Sequence, residues 1–264
     1  MRFEVITLFP DLFASFLSES LIAKAIESKI MSVRLTTPRD FTADRHRTAD
    51  DRPYGGGPGM VLKPEPVAAA IEAVAKGRPK PWRVFLSPSG TRLTQAKVRE
   101  LSEKKRLVLV CGRYEGLDQR VIDLLIDEEI SIGDYVVNGG EVPAMVLMEA
   151  VARLLPGFMG KAESAEEESH SAGLLEYPHY TRPPEFRGLG VPGVLLSGNH
   201  KDVGEWRLKR SLERTLAARP ELLAAADLST EALKALGRVY AVEPAAKTRP
   251  EKGKKMVVTR GEGE

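Results

Sequence analysis

Short apolar runs alternate with helical patterns over most of the N-terminal part of this chain, and that alternation admits few architectures. Arg2–Leu8, Val33–Leu35, Trp82–Leu86 and Leu107–Cys111 are rich in β-branched or aliphatic residues and stop at turn residues, as strands do. Between and after them, Leu12–Leu17, Leu21–Ser28, Pro64–Ala75, Thr94–Leu101, Gln119–Leu125 and Val142–Leu155 carry helical patterns. Such a repeat predicts an α/β fold with a parallel sheet covered by helices. Pro64 has its φ fixed for a first helical turn and Thr94 has a hydroxyl able to cap one, so both mark helix starts.

The helix-rich block ends near Pro156-Gly157, and beyond it the chain changes in kind. From Gly157 to Gly173 the residues are small or charged, with Glu163, Glu166, Glu167 and Glu168 close together, which reads as a linker. Pro178–Pro192 is rich in proline and glycine, and Trp206–Arg219 and Glu231–Leu236 read as helices of a small C-terminal domain. The predicted division is residues 1–157, a linker 158–174, a helical domain 175–243 and a charged, mobile tail 244–264. With 264 residues, 42% of them hydrophobic, the chain can build one large domain or a large and a small one. No apolar run reaches the roughly 18 residues of a membrane span, and the N-terminus enters a strand directly, so a soluble cytoplasmic protein is expected. One cysteine, Cys111, excludes an internal disulfide and a cysteine-based zinc cluster. Net charge is only +2, so a nucleic-acid partner would have to be held by local basic patches.

Two glycine-punctuated loops come directly after apolar runs, Cys111–Gly116 and Ser131–Glu141. Five glycines there, Gly112, Gly116, Gly133, Gly139 and Gly140, allow main chain to come close to a ligand. Neither loop has the G-x-G-x-x-G spacing, and no G-x-x-x-x-G-K-[ST] is present, so neither a standard dinucleotide fingerprint nor a P-loop can be claimed. Any single glycine is better read as a turn, whereas the cluster reads as a nucleoside cradle.

Other features have bland and functional readings side by side. Asp44–Met60 sets Arg45, His46, Arg47 and Arg52 beside a glycine-rich hinge; a charge run is usually a solvated loop, yet arginines also fork onto phosphates. Arg207, Arg210 and Arg214 fall on one helical face with Leu208, Leu212 and Leu216 opposite, which suits either an ordinary surface helix or a phosphate-facing one. Trp206 is either core or a base-stacking platform. The glutamates keep a linker soluble, or one of them works as a base with Arg153 nearby as a cation; Arg153 alone would complement a helix C-terminus. His46, His170, His179 and His200 lack metal-ligand spacing, and Cys111 reads as core.

The segments Pro38–Phe41, Asp44–Thr48, Asp51–Met60, Leu86–Pro88, Cys111–Gly116, Ser131–Val136, Pro178–Pro183 and Leu195–His200 closely resemble the bacterial tRNA (guanine-N1)-methyltransferase family, TrmD, from Met1 to about Leu236. The resemblance implies a SPOUT-class sheet with a deep trefoil knot, and a homodimer with shared active sites. It implies S-adenosylmethionine as methyl donor, held by Leu86, Ser87, Pro88, Gly112, Tyr114, Glu115, Gly116, Ile132, Gly133, Asp134, Tyr135, Val136, Val137, Gly139, Gly140 and Pro143. It implies tRNA as partner, held by Arg45, His46, Asp50, Gly59, Lys201, Trp206, Arg207 and Arg210, and no membrane. The methylated atom would be N1 of the guanine 3′ of the anticodon, where another guanine precedes it. No metal ligand is implied, and magnesium is a possible companion that the residues themselves do not call for.

Guanine N1 carries a proton at neutral pH, so a base must remove it, and charge then spreads to O6, where a guanidinium such as Arg153 stabilises it. The family usually has aspartate before the serine of this linker, whereas this chain has Glu168 before Ser169. Glu168 is therefore assigned as base, with Glu167 as fallback, and burial would raise its pKa from the usual value near 4.3. That base separates a methyltransferase from a catalytically silent RNA-binding protein of the same fold. A different α/β nucleotide enzyme would need a phosphate motif that is missing.

Overall fold

A computed structural model describes residues 1–159, 173–226, 228 and 230–241. It forms two compact units, Met1–Ser171 and Ala172–Glu264. The predicted tail and most of the predicted linker lie outside the described residues.

In the first unit the elements run β1 (Arg2–Ile6), a 3-10 turn (Pro10–Phe13), α1 (Ala14–Ser18), α2 (Ser20–Glu27), β2 (Ser32–Thr36), a second 3-10 turn (Pro38–Phe41), β3 (Asp50–Asp51), β4 (Val61–Leu62) and α3 (Pro64–Ala75). Next come β5 (Trp82–Arg92), α4 (Gln95–Ser102), β6 (Arg106–Cys111), α5 (Gln119–Leu125), β7 (Glu128–Ser131) and α6 (Glu141–Ala152). Five strands make one sheet in the order β2-β1-β6-β5-β7, and every pairing is parallel. Pro64 occupies the first turn of α3, and the Thr94 hydroxyl caps α4 by accepting from Lys97 N at 3.3 Å.

All six residues of the central strand β6 are buried, as a strand covered on both faces requires. Its side chains alternate between two cores. Leu107, Leu109 and Cys111 join Phe3, Val5, Val84, Leu86, Leu147 and Val151 on the α6 side. Val108 and Val110 join Ile6, Phe85, Val67, Ile71 and Val121 on the α3 and α5 side.

Two ion pairs fasten the strand beginnings. Arg106, at the start of β6, reaches Glu4 Oε1 at 3.2 Å, and both side chains are almost fully buried. The same guanidinium donates to Val74 O and, at 3.0 Å, to Lys76 O, so it also closes the C-terminal end of α3. Arg83 on β5 grips Asp127 with two parallel bonds of 2.9 and 2.8 Å, and its own N–H adds a third at 2.8 Å. The Arg83 hydrogen bonds hold the Asp127 carboxyl below its ordinary pKa.

The sheet extends beyond the sequence-level strands. β5 continues to Arg92, and β7 was not foreseen, because Glu128 and Glu129 interrupt its apolar character. Glu128 is accommodated at the edge by Lys97 at 2.8 Å and the Trp82 indole N–H at 3.2 Å.

The second unit holds β8 (Glu185–Phe186), β9 (Leu189–Gly190), α7 (Gly193–Leu196), α8 (His200–Ala218), α9 (Pro220–Ala225) and α10 (Thr230–Ala241). β8 and β9 form a hairpin turned at Arg187 and Gly188, both with positive φ, the two-residue turn that matches strand twist. α8 starts before the predicted Trp206, because the Asn199 side chain caps it by accepting from Lys201 N at 3.1 Å.

Removing one partner of the buried pair should be costly. Arg106→Met strands the Glu4 carboxylate and should lower stability by roughly 3–5 kcal/mol in urea unfolding, while adding Glu4→Gln should restore part of it. The pair at Asp127 has a pH signature. A carboxyl with a lowered folded pKa stabilises above its unfolded pKa of about 3.9, and that stability is lost as pH falls towards the folded value. Asp127→Asn should therefore cost on the order of 1 kcal/mol at neutral pH, and the difference from wild type should shrink below about pH 4.

Candidate functional site

β6, β5 and β7 are neighbours in the sheet, so the loops leaving their C-terminal ends share one edge, where parallel α/β sheets bind ligands. Leu86 and Thr91 of β5 both stand opposite Ile130 of β7. The intervening Ser87–Gly90 is pushed out of the ladder and forms one wall. At Gly90 a side chain would meet main chain of Glu129, with its Cβ 2.4 Å from the carbonyl carbon. Ser131 ends β7 with its hydroxyl folded onto Gly133, donating to the carbonyl at 2.9 Å and accepting from the amide at 3.2 Å.

The two glycine loops are clasped together. Gly140 caps α6, and its N–H donates to Gly112 O at 2.8 Å. A Cβ on Gly140 would lie 2.7 Å from Cys111 Cα, so this glycine is required because protein packs on protein. Beside it, Arg113 and Glu141 form a 2.9 Å ion pair in which Glu141 is only 1% exposed. Thr7 Oγ1, just past β1, donates to the other Glu141 oxygen at 2.8 Å. Glu141 also opens the first turn of α6, where the helix dipole favours a negative charge. The Arg113 guanidinium lies 4.5 Å from the centre of the Phe9 ring. Burial pushes the Cys111 thiol well up, with the Glu141 carboxylate adding to it, so the thiol is no nucleophile.

Tyr114 adopts a left-handed backbone, φ 58°, which is strained for a side-chain-bearing residue. Hydrogen bonds hold it there, from Gly116 N to Arg113 O and from Glu115 N to Met60 O, each 3.0 Å. Leu62 N donates to Gly116 O at 2.9 Å, which ties the glycine-rich 53–60 loop to the same place.

The result is a cleft of about 400 Å³. Leu86, Ser87, Pro88, Gly112, Tyr114, Glu115, Gly116, Ile132, Tyr135, Val136, Val137, Gly139, Gly140 and Pro143 line it. Gly133 and Asp134 do not; Asp134 turns outward to Arg92 at 3.1 Å. The lining also includes Phe85, Arg113, Glu129 and Asn138, which the sequence analysis did not single out. Arg113 was signalled by its place inside the Cys111–Gly116 motif, whereas Glu129 sits on the unforeseen strand. Among the described lining residues the charged side chains are Arg113, already paired, and the carboxylates Glu115 and Glu129. That charge pattern suits a cationic ligand and disfavours a polyphosphate.

Arg153 ends α6 at the opposite terminus from Gly140, about 20 Å away along a helix rising 1.5 Å per residue, and does not line the cleft. Glu168 and Glu167 lie outside the described residues. Arg45 and His46 are exposed, Asp50 is on β3, and Gly59 lies against the Glu115 carboxylate with a left-handed backbone, φ 84°, that suits glycine.

In the second unit, Lys201, Trp206, Arg207 and Arg210 all lie on α8. Arg210 pairs with Glu213 at 2.6 Å, and Arg214 donates to Glu176 O at 3.2 Å, so this face is not a bare row of cations. Among the described residues no group of three or more histidine, cysteine, aspartate or glutamate side chains could hold a metal ion, and no helix is long and apolar enough to cross a membrane.

Comparison with known proteins agrees with this geometry. The family described as tRNA (Guanine-1)-methyltransferase TrmD matches residues 1–225. A tRNA (guanine-N(1)-)-methyltransferase of Methylococcus capsulatus is 53% identical over 238 residues, covering 89% of this chain and 94% of the relative. Its namesake from Carboxydothermus hydrogenoformans is 53% identical over 231 residues, covering 88% and 90%. That from Geobacter metallireducens is 50% identical over 231 residues, covering 88% and 94%. A family match across the sheet and both glycine loops, with such relatives over nearly their whole length, means that the chain belongs to the TrmD family of tRNA (guanine-1)-methyltransferases.

Proposed function

We propose that this protein transfers the methyl group of S-adenosylmethionine to N1 of the guanine immediately 3′ of the anticodon, guanine-37, in tRNAs where another guanine precedes it. The observation that carries this reading is the cleft at the ends of three adjacent parallel strands, with carboxylates and no lysine among its described lining residues. Its volume lies in the range of small-ligand sites. Its wall mixes Leu86, Ile132, Val136 and Pro143 with bare main chain at the glycines, and so offers apolar surface and amide groups to an adenosyl moiety. Glu115 and Glu129 complement a positive sulfonium. When bound there, S-adenosylmethionine supplies an electrophilic methyl group.

The residues divide the remaining work. Glu168 takes the proton from guanine N1, and Arg153 stabilises the negative charge that spreads to O6. Within one chain Arg153 belongs to the far end of α6, which supports a homodimer in which each cleft is completed by a second copy. α6 itself supports this, because it is apolar nearly all round yet leaves Val142 57% and Val146 44% exposed, as unpartnered helix surfaces do. A deep trefoil knot through the glycine loops is the further topological part of the reading. Arg45, His46, Asp50 and Gly59 in the first unit, and Lys201, Trp206, Arg207 and Arg210 in the second, are assigned to tRNA. The protein would work in the cytoplasm, where its substrate is. Magnesium would act as a companion of the RNA or the reaction, with no ligand set of its own among the residues named.

The direct test is labelled methyl transfer to a tRNA transcript, compared with a transcript in which the target guanine is replaced; transfer to both, or to neither, overturns the assignment. Glu168→Gln should leave S-adenosylmethionine affinity unchanged by calorimetry and lower single-turnover methyl transfer by about 10²–10⁴-fold, the usual contribution of a general base. Gly140→Val should force the Cys111 and Gly140 backbones apart and abolish measurable cofactor affinity, whereas full affinity would show that the clasp does not shape the cleft.

A further inference from the structure

The Ala172–Glu264 unit carries chemistry of its own on α8. Helical periodicity places Trp206, Arg207, Arg210 and Arg214 on the side turned away from Leu208 and Leu212, and Leu212 is fully buried. Residues 175–180 run alongside α8 and are tied to the helix. Leu175 N donates to Thr215 Oγ1 at 2.9 Å, and Arg214 donates to Glu176 O at 3.2 Å.

So tied, this segment lays aromatic rings against the helix. Tyr180 and Trp206 have centroids 6.2 Å apart at 58°, and Tyr177 and His179 lie 4.8 Å apart at 45°. The Arg207 guanidinium is 4.8 Å from the Tyr177 ring centre, and that of Arg210 is 5.7 Å from Trp206. These rings keep a face open to solvent: Tyr180 is 49% exposed and the His179 side chain 61%. Two carboxylates belong to the same neighbourhood: Glu176 pairs with His179 at 2.8 Å and Glu213 with Arg210 at 2.6 Å. With those charges offset, the surface is a poor rail for duplex phosphates. It is a good surface for a flat, weakly charged partner.

Resting on the tRNA reading of the protein, we infer that Tyr180 and Trp206, flanked by Tyr177, His179, Arg207 and Arg210, form a stacking platform for an unpaired RNA base. Every base has a π face, so stacking tolerates any sequence, but a base inside a duplex has both faces covered and cannot use it. The Arg207 and Arg210 guanidinium groups lie against the Tyr177 and Trp206 rings and brace the platform from the helix side. The platform therefore selects single-stranded loops over continuous helix.

The test uses the full chain with Trp82→Phe, which leaves Trp206 as the sole tryptophan of the original two. Trp82 lies at the start of β5, away from the strand ends that form the cleft. The Trp206 fluorescence is titrated with an anticodon-arm stem-loop and with an uninterrupted duplex of equal length at the same salt. The stem-loop should quench it and the duplex should not. Tyr180→Leu should weaken stem-loop affinity about tenfold or more, Tyr180→Phe should preserve it, and neither should change duplex affinity. Equal quenching by both RNAs, or wild-type affinity in Tyr180→Leu, overturns the platform. Methyl transfer to a full tRNA transcript is measured on the wild-type protein and on Trp82→Phe, since the Trp82 indole supports Glu128 of β7. Transfer without loop-dependent quenching removes the platform and leaves the enzyme, and loop-dependent quenching without transfer does the reverse.

Discussion

The hydrogen bond from Gly140 N–H to Gly112 O is the hinge on which the site depends. It joins the end of the central strand to the beginning of α6 at a distance that only a residue without a side chain can accept. Once that contact is made, Glu141 is delivered into the core, where Arg113 and Thr7 meet its two oxygens. Three elements far apart in sequence are thereby locked around one carboxylate. A buried charge is tolerable only when paired, so the polar cluster is specific about which loop conformation it accepts.

Charge also decides what the cleft can hold. Nucleotide sites commonly offer phosphates a glycine-rich turn with a lysine or a helix N-terminus. Here the N-terminus of α6 already faces its own Glu141, and the lining's arginine is spent on the same residue. What is left towards the cleft is neutral main chain, uncharged apolar and polar side chains, and two carboxylates. On the proposed reading, a sheet architecture shared by many nucleotide enzymes serves here a ligand with positive charge.

Much of the fold was legible because its causes are local. The boundaries of α5, Gln119–Leu125, follow from an amphipathic turn pattern, and the buried β6 from an unbroken aliphatic run. β7 was not legible, because Glu128 draws its support from Lys97 and Trp82, neither of which is nearby in the chain. The early start of α8 turned on a single Asn199 cap in a stretch rich in glycine and charge. In the site, the cluster of glycines could be seen but the task of each could not. Gly140 answers to Cys111, a contact that exists only after the sheet has formed. Arg207, Arg210 and Arg214 looked like a row of cations, and folding assigns them to an aromatic ring, to Glu213 and to a main-chain oxygen. The base proposed here sits in a run of glutamates with no local pattern to mark it, and only the resemblance points to Glu168.

The excursion at Ser87–Gly90 has a mechanical meaning. Because Leu86 and Thr91 both remain registered on Ile130, the segment is an arch with two fixed feet, not a flap with one. An arch of this kind resists swinging, so the wall it forms keeps its shape whether or not a ligand lies against it.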